Sequence, residues 1–182
     1  RRGRRPTTRT VLVIHDMEVA DKATTAEAVA AFFKSGKAKA SAHFTVDLDS
    51  ICQCVSVMDT AFAAPGANND GIQIELAGFA RLTREQWLAD MKLLENAADL
   101  VAEVIVYLKR THNRTVPVRR MTRNQLLDKT QSGLAGHRDV NAAFGESSHT
   151  DPGVNFPWNT FLLKVDAAVA RLDKPGFTPR FV

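Results

Sequence analysis

The longest periodic segment sets the first limit on the fold. Between Thr83 and Arg110, the residues Trp87, Met91, Leu94, Ala98, Val101, Ile105 and Leu108 recur at alternating steps of four and three. Such steps put side chains on one face of an α-helix, so the segment is expected to carry a continuous apolar stripe. Thr83 and Gln86 stand at capping-box spacing in front of it. At about 1.5 Å of rise per residue the helix would be roughly 40 Å long. A stripe of this kind reads as core packing, not as a coiled coil or a cofactor face, so other elements must cover it. With 182 residues, 45% of them hydrophobic, the chain has material for one domain with a real core.

The remaining elements supply that cover. Val11-Leu12-Val13-Ile14 is a short apolar run that predicts a buried strand ending at His15-Asp16. Thr24-x-x-Glu27 predicts a helix start, continued by Ala28, Val29, Ala31, Phe32 and Phe33 and stopped at Gly36. Strands are expected over 43–46 and 51–57, joined by the turn Asp47-Leu48-Asp49-Ser50. Residues 63–70 read as a loop. From Gly71 to Leu76 the apolar Ile72, Ile74 and Leu76 alternate with Gln73 and Glu75, which predicts a strand. A short helix is expected after Thr122 and a last one from about Pro157 to Leu172. The order β-α-β-β-β-α-α-α points to an α/β fold, a central mixed sheet flanked by helices. One domain is expected over 10–173, with residues 1–9 a basic tail or linker and 174–182 a C-terminal tail or linker.

Charge is concentrated at the start. Five arginines lie in the first nine residues, and the rest of the chain has 19 basic against 20 acidic residues. A second basic stretch holds Lys109, Arg110, Arg114, Arg119, Arg120 and Arg123, with no acid between Glu103 and Asp128. Basic patches of this kind can meet nucleic acid or the anionic polymers of a cell envelope, or simply form a solvated surface. With no RNP motif or helix-turn-helix spacing, nucleic acid is not expected. No run approaches the roughly 20 apolar residues of a membrane span, and no apolar stretch follows the opening arginines as in a secretory signal. The expectation is a monomer made in the cytoplasm without a signal peptide, or an excerpt of a longer chain. Cys52 and Cys54 are two apart on an expected strand, where a bridge would be strained, so both are expected as free thiols.

Three segments put polar residues where strand or helix logic does not ask for them: Val13-Ile14-His15-Asp16, Ala135-Gly136-His137-Arg138-Asp139-Val140 and His149-Thr150-Asp151-Pro152-Gly153. Two histidines and a carboxylate can bind Zn²⁺ through three protein ligands and leave a fourth position open. Singly, a histidine at a strand end is more often structural, and spacing alone does not select these three.

In order and approximate spacing, these segments, with Ser41-Ala42-His43-Phe44 and Gly71-Ile72-Gln73-Ile74-Glu75-Leu76, resemble the type 2 N-acetylmuramoyl-L-alanine amidases. That group includes phage amidases, cytoplasmic anhydro-muropeptide amidases and peptidoglycan recognition proteins. The resemblance covers roughly Thr10 to Leu172. It implies His15, His137 and Asp151 as Zn²⁺ ligands and Glu75 as general base. Some relatives use a tyrosine where this chain has Ala42. It also implies an oxyanion-stabilising role at position 149, where this chain has His149 in place of the usual lysine. The family's Trp-His-Ala-Gly loop motif is absent; the loop reads Phe62-Ala63-Ala64-Pro65-Gly66. His43 is expected either to support the ligands from behind or to be structural, and His112 to be exposed. The implied reaction is hydrolysis of the bond between the lactyl group of N-acetylmuramic acid and L-alanine, with peptidoglycan glycan strand and stem peptide as partners. The implied setting is a phage endolysin that reaches the wall after holin-mediated release. Alternatives are a cytoplasmic muropeptide-recycling amidase and a non-catalytic peptidoglycan-binding module.

Overall fold

The computed structural model describes residues 9–180. Five strands form one mixed sheet in the order β3-β2-β4-β1-β5. These are β1 (Val11–Asp16), β2 (Phe44–Val46), β3 (Ile51–Gln53), β4 (Gly71–Leu76) and β5 (Gly133–Gly136). β1 runs parallel to both β4 and β5, β2 runs parallel to β4, and only β3 is antiparallel, paired to β2. The helices are α1 (Thr25–Lys34), α2 (Arg84–Ala89), α3 (Met91–His112), α4 (Arg123–Leu127), α5 (His137–Phe144) and α6 (Trp158–Leu172).

Alternation along the two central strands divides the sheet into two faces. Leu12 and Ile14 of β1, with Ile72, Ile74 and Leu76 of β4, enter one large cluster with α3 and α6. Val11 and Val13 enter a second cluster with Val140 and Ala143 of α5 and Leu126 of α4. By the same parity His15, Gln73 and Glu75 lie on the second face. There α5 stands over β1 and β5, while α1 stands over β2 and β3. The face is left open between them, at the C-terminal ends of the parallel strands, where open α/β sheets characteristically bind ligands.

The expected 83–110 helix is two helices. Thr83 opens α2 with a complete capping box, as expected. Asp90 then leaves helical geometry at φ −93° and ψ 59°, and its side chain caps α3 by accepting from the Leu93 amide. Trp87 and Leu94, on either side of the break, still share one cluster, but Met91, expected in the same stripe, is half-buried and drops out of it. α3 is buried on more than one side. Ala102 and Val106 pack on Ala168 and Leu172 of α6, while Leu94, Val101 and Leu108 face the sheet cluster. A helix apolar on most sides is covered on most sides, and α3 packs on both the sheet cluster and α6.

Other expectations shift in detail. The second hairpin strand is three residues, Ile51–Gln53, and does not reach Val57. Thr24 makes no side-chain cap on α1. Asp47, buried in the β2–β3 turn, takes over that task by accepting from the Ala26 amide at 2.8 Å and from the Ser50 amide at 2.7 Å. Burial pushes its carboxyl up, but these amides outweigh that and hold it below the ordinary range. β5 and α5 were not expected as elements at all.

Residues 1–8 and 181–182, parts of the two expected tails, lie outside the described residues. Arg9 is not a tail residue: it is buried, paired to Asp70 at 3.2 Å, and donates to the Leu126 carbonyl at 2.9 Å. After Asp173 the chain stays on α3, where Arg110 holds the Lys174 and Phe177 carbonyls and Arg180 meets Glu103 at 2.7 Å. The internal basic stretch is largely engaged within the fold. Lys109 and Arg110 pair with Asp173, Arg119 with Gln131, Arg120 with Asp139, and Arg123 with the Ala142 carbonyl. Cys52 and Cys54 are free, and burial pushes both thiols above their usual range. Among the described residues no helix is long and apolar enough to cross a membrane.

Candidate metal centre and active site

The groove on the second face is a cleft of about 810 Å³. His15, Glu75, His137 and Asp151 line it, and Phe32 and Phe33 of α1 form part of its wall. Three separate pieces of chain converge there. His15 is the fifth residue of β1 and pairs in register with Glu75 of β4, so the two side chains emerge side by side on one face. His137 is the first residue of α5, directly after β5. Asp151 comes from the loop before α6, after the chain turns out of α5 at Gly145.

Local chemistry fixes the last two. Asp139 accepts from the Gly136 amide at 2.9 Å and so caps the helix that begins with His137. Arg120 grips the same carboxylate bidentately, at 2.7 and 2.9 Å, and stacks over Trp158. The Asp151 loop is tied to this helix start because Arg138 donates its amide to the Asp151 carbonyl at 2.9 Å. Gly153 closes the loop at φ +90°, where a Cβ would lie 2.0 Å from the Ala80 carbonyl oxygen, so no other residue fits there.

The geometry at the centre is close. His15 Nδ1 lies 2.9 Å from Asp151 Oδ2, and His137 Nδ1 lies 3.2 Å from Asp151 Oδ1. The three donor atoms are within 4.8 Å of one another, and all three residues are buried. Each histidine turns its other nitrogen to a neighbour: His15 Nε2 to Gln73 Oε1 at 2.9 Å, and His137 Nε2 to Ser147 Oγ at 3.3 Å. His149 sits at the rim. Its side chain is 64% exposed, its ring stacks on His137 at 4.4 Å, and its Nδ1 is 3.5 Å from Asp151 Oδ1.

The electrostatics favour positive charge at this point. Asp151, 6% exposed, pairs with imidazoles, and among the described residues no lysine or arginine reaches it. Burial pushes its carboxyl up, but hydrogen bonds from His137 and His15 and their charge hold it well below the usual range. Glu75 goes the other way. Burial lifts it to about 7, opposed by the charge of His15 and reinforced by that of Asp151. Asp16, buried at the same strand end, also rises to about 7, chiefly through burial. His15 rises to about 9, because burial is outweighed by the Glu75 and Asp151 carboxylates. Three carboxylates crowded in low dielectric beside imidazoles favour added positive charge. Two imidazole nitrogens and one carboxylate oxygen form a donor set that suits Zn²⁺ and leaves a further position open.

The structure thus brings His15, His137 and Asp151 into one cluster, with Glu75 beside it and His149 at its edge. His43 and His112 stand apart. His43 bridges the Gln73 amide and the Asp59 carbonyl inside the fold, and His112 is half-buried against Tyr107. Two site residues were missed by sequence reasoning. Gln73 and Asp16 each carried one signal, a polar side chain at strand parity with Glu75 or directly beside His15.

Comparison with known proteins places the fold and the family. No curated protein matches the chain by sequence. Similar solved structures include the Staphylococcus aureus hydrolase AmiA in complex with its ligand. Its TM-score is 0.65 at 16% identity, covering 92% of this chain and 77% of that one. A mutant endolysin from Bacillus subtilis matches at TM-score 0.55 and 19% identity, over 90% of this chain and 92% of that one. The N-acetylmuramoyl-L-alanine amidase LysC from Clostridium intestinale matches at 0.50 and 20%, over 87% and 86%. At such identities these likenesses speak for a shared fold, a mixed sheet flanked by helices. The sequence profile of the N-acetylmuramoyl-L-alanine amidase family matches residues 4–154, a span from before β1 through the Asp151 loop, and the chain belongs to that family.

Proposed function

We propose that the protein is a zinc-dependent amidase that cleaves the bond between the lactyl group of N-acetylmuramic acid and the L-alanine of the stem peptide. The observation that carries this reading is the convergence of His15, His137 and Asp151 in the cleft, with the Glu75 carboxylate beside them. His15 and His137 would hold the ion through imidazole nitrogen, and Asp151 through carboxylate oxygen. Bound Zn²⁺ supplies Lewis acidity toward a carbonyl and lowers the pKa of water.

The chain's own residues do the rest. Glu75 takes the proton from the attacking water and returns it to the departing alanine nitrogen. Among the described residues no hydrogen bond occupies its carboxylate, so its oxygens are available to water. His149 donates an N–H to the substrate oxygen as charge develops on it. Its stacking on His137 supports this role by keeping the imidazole at the edge of the centre. Phe32 and Phe33 offer an apolar wall to the branch point of glycan and peptide.

We assign the setting of an endolysin, acting on a host wall after release from the cytoplasm through a holin. The Bacillus subtilis endolysin with the same fold supports it. The test is a side-by-side digest of purified sacculi and soluble anhydro-muropeptides. Sacculi are expected to be solubilised at the higher rate. A strict preference for the soluble substrate would replace the endolysin setting with recycling. Binding without release from either would contradict catalysis altogether.

A further inference from the structure

Gln73 is fully buried, and nothing in the reaction requires a glutamine there. Its side chain has two partners. Oε1 lies 2.9 Å from His15 Nε2, and Nε2 donates to the Ala67 carbonyl at 3.3 Å. The second contact determines the first. A carbonyl oxygen only accepts, so the amide must turn its NH₂ to Ala67 and its oxygen to His15. That oxygen also only accepts, so His15 must carry a proton on Nε2. In the neutral ring Nδ1 is then the lone-pair nitrogen, and it is Nδ1 that faces Asp151. Ser147 imposes no such choice on His137, because a hydroxyl both donates and accepts.

The slot that holds this amide depends on a glycine. A Cβ on Gly71 would lie 2.3 Å from the Ala67 carbonyl oxygen and 2.5 Å from Gln73 Nε2. Gly71 therefore leaves open the space through which Gln73 reaches Ala67. The Gln73 backbone is fixed as well, since its N–H donates to His43 Nδ1 at 2.9 Å.

We infer that Gln73 is a positioning residue that locks His15 in the Nε2-protonated tautomer and so presents Nδ1 to the metal. The inference rests on the reading of His15 as a zinc ligand. Neighbours of this kind orient a ligand ring and raise its basicity, and losing one costs about 10- to 100-fold in metal affinity. Gln73→Met keeps the length and removes both polar ends. Its zinc affinity, measured by competition with a chromophoric chelator, is expected to fall by about that factor. Gln73→Glu restores an acceptor facing Nε2 but loses the donor to the Ala67 carbonyl, and is expected to recover part of the loss. The ¹⁵N spectrum of zinc-loaded wild type is expected to show His15 protonated at Nε2, a readout that holds even if the Met variant does not fold. Equal zinc affinity in wild type and Gln73→Met, or a His15 ring protonated at Nδ1, would overturn the inference while leaving the zinc reading intact. A wild-type protein that takes up no zinc would overturn both.

Discussion

Glu75→Gln is expected to fold and to keep its zinc while losing roughly 10²–10⁴ in kcat, the range associated with a positioned general base. Gln matches Glu in shape but cannot accept the proton. The position makes the substitution informative. Glu75 stands in register with His15 across the β1–β4 ladder, with Thr45 of β2 on its other side, so the backbone holds the side chain at the cleft independently of its charge. It lies outside the group of three donors, so metal content should not change. Removing a charge that burial disfavours should also leave stability equal or slightly higher. Steady-state kinetics, zinc content and thermal unfolding of one preparation check all three. Full activity in the Gln variant would exclude Glu75 as the base.

His137→Ala should act on the opposite quantity. Wild type is expected to hold about one zinc per chain, and this variant should lose most of it, because two donors remain where three are needed. Loss of the Lewis acid removes several kcal/mol of stabilisation, so activity should fall on the order of 10³-fold or more. The variant also empties a buried site at the first position of α5 and strips Asp151 of one of its imidazole partners. His137→Cys provides the control, since a thiolate is also a zinc ligand and should retain part of the metal. Zinc analysis on folded protein, verified by circular dichroism, decides the matter. A fully loaded His137→Ala protein would contradict the assignment of this ligand.

Particular residues show how far the sequence reaches. The run Val11–Ile14 and the alternation over 71–76 made β1 and β4 legible, since burial on both faces or on one leaves a direct mark on composition. The capping box at Thr83 was legible too. The break at Asp90 was not, because the apolar spacing in the sequence continues through it and aspartate is ordinary in a helix. β5 was hidden for a different reason. Gly133-Leu134-Ala135-Gly136 is four residues with two glycines, a strand only because β1 offers it an edge. α5 begins on a glycine with no Ser or Thr cap, and its start is secured by Asp139 together with Arg120 from a distant loop. Thr24 and Glu27 promised a local cap, but Asp47 from the next hairpin made the stronger bonds.

The candidate site was legible through resemblance and much less through residue chemistry. Nothing in the spacing of His15, His137 and Asp151 requires them to meet; the parallel pairing of β1 with β4 and β5 brings His15, Glu75 and His137 to one end of the sheet, and the Arg138 amide ties the Asp151 loop to them. The role inferred for Gln73 depends on the same pairing, with a loop carbonyl and a missing Cβ besides. These are tertiary facts, and no local pattern carries them. The basic segment at 109–123 shows the converse. It read as a solvated surface or one open to anionic polymers, yet five of its six cations are engaged within the fold.

The central claim is that the cleft hydrolyses one particular amide. Mass spectrometry of the fragments released from purified sacculi tests it most directly. Each released stem peptide is expected to begin with a free L-alanine amine, and the glycan to keep its lactyl group as a carboxylate. New reducing sugar ends, or peptides cut at cross-links with the lactyl–alanine bond intact, would contradict it.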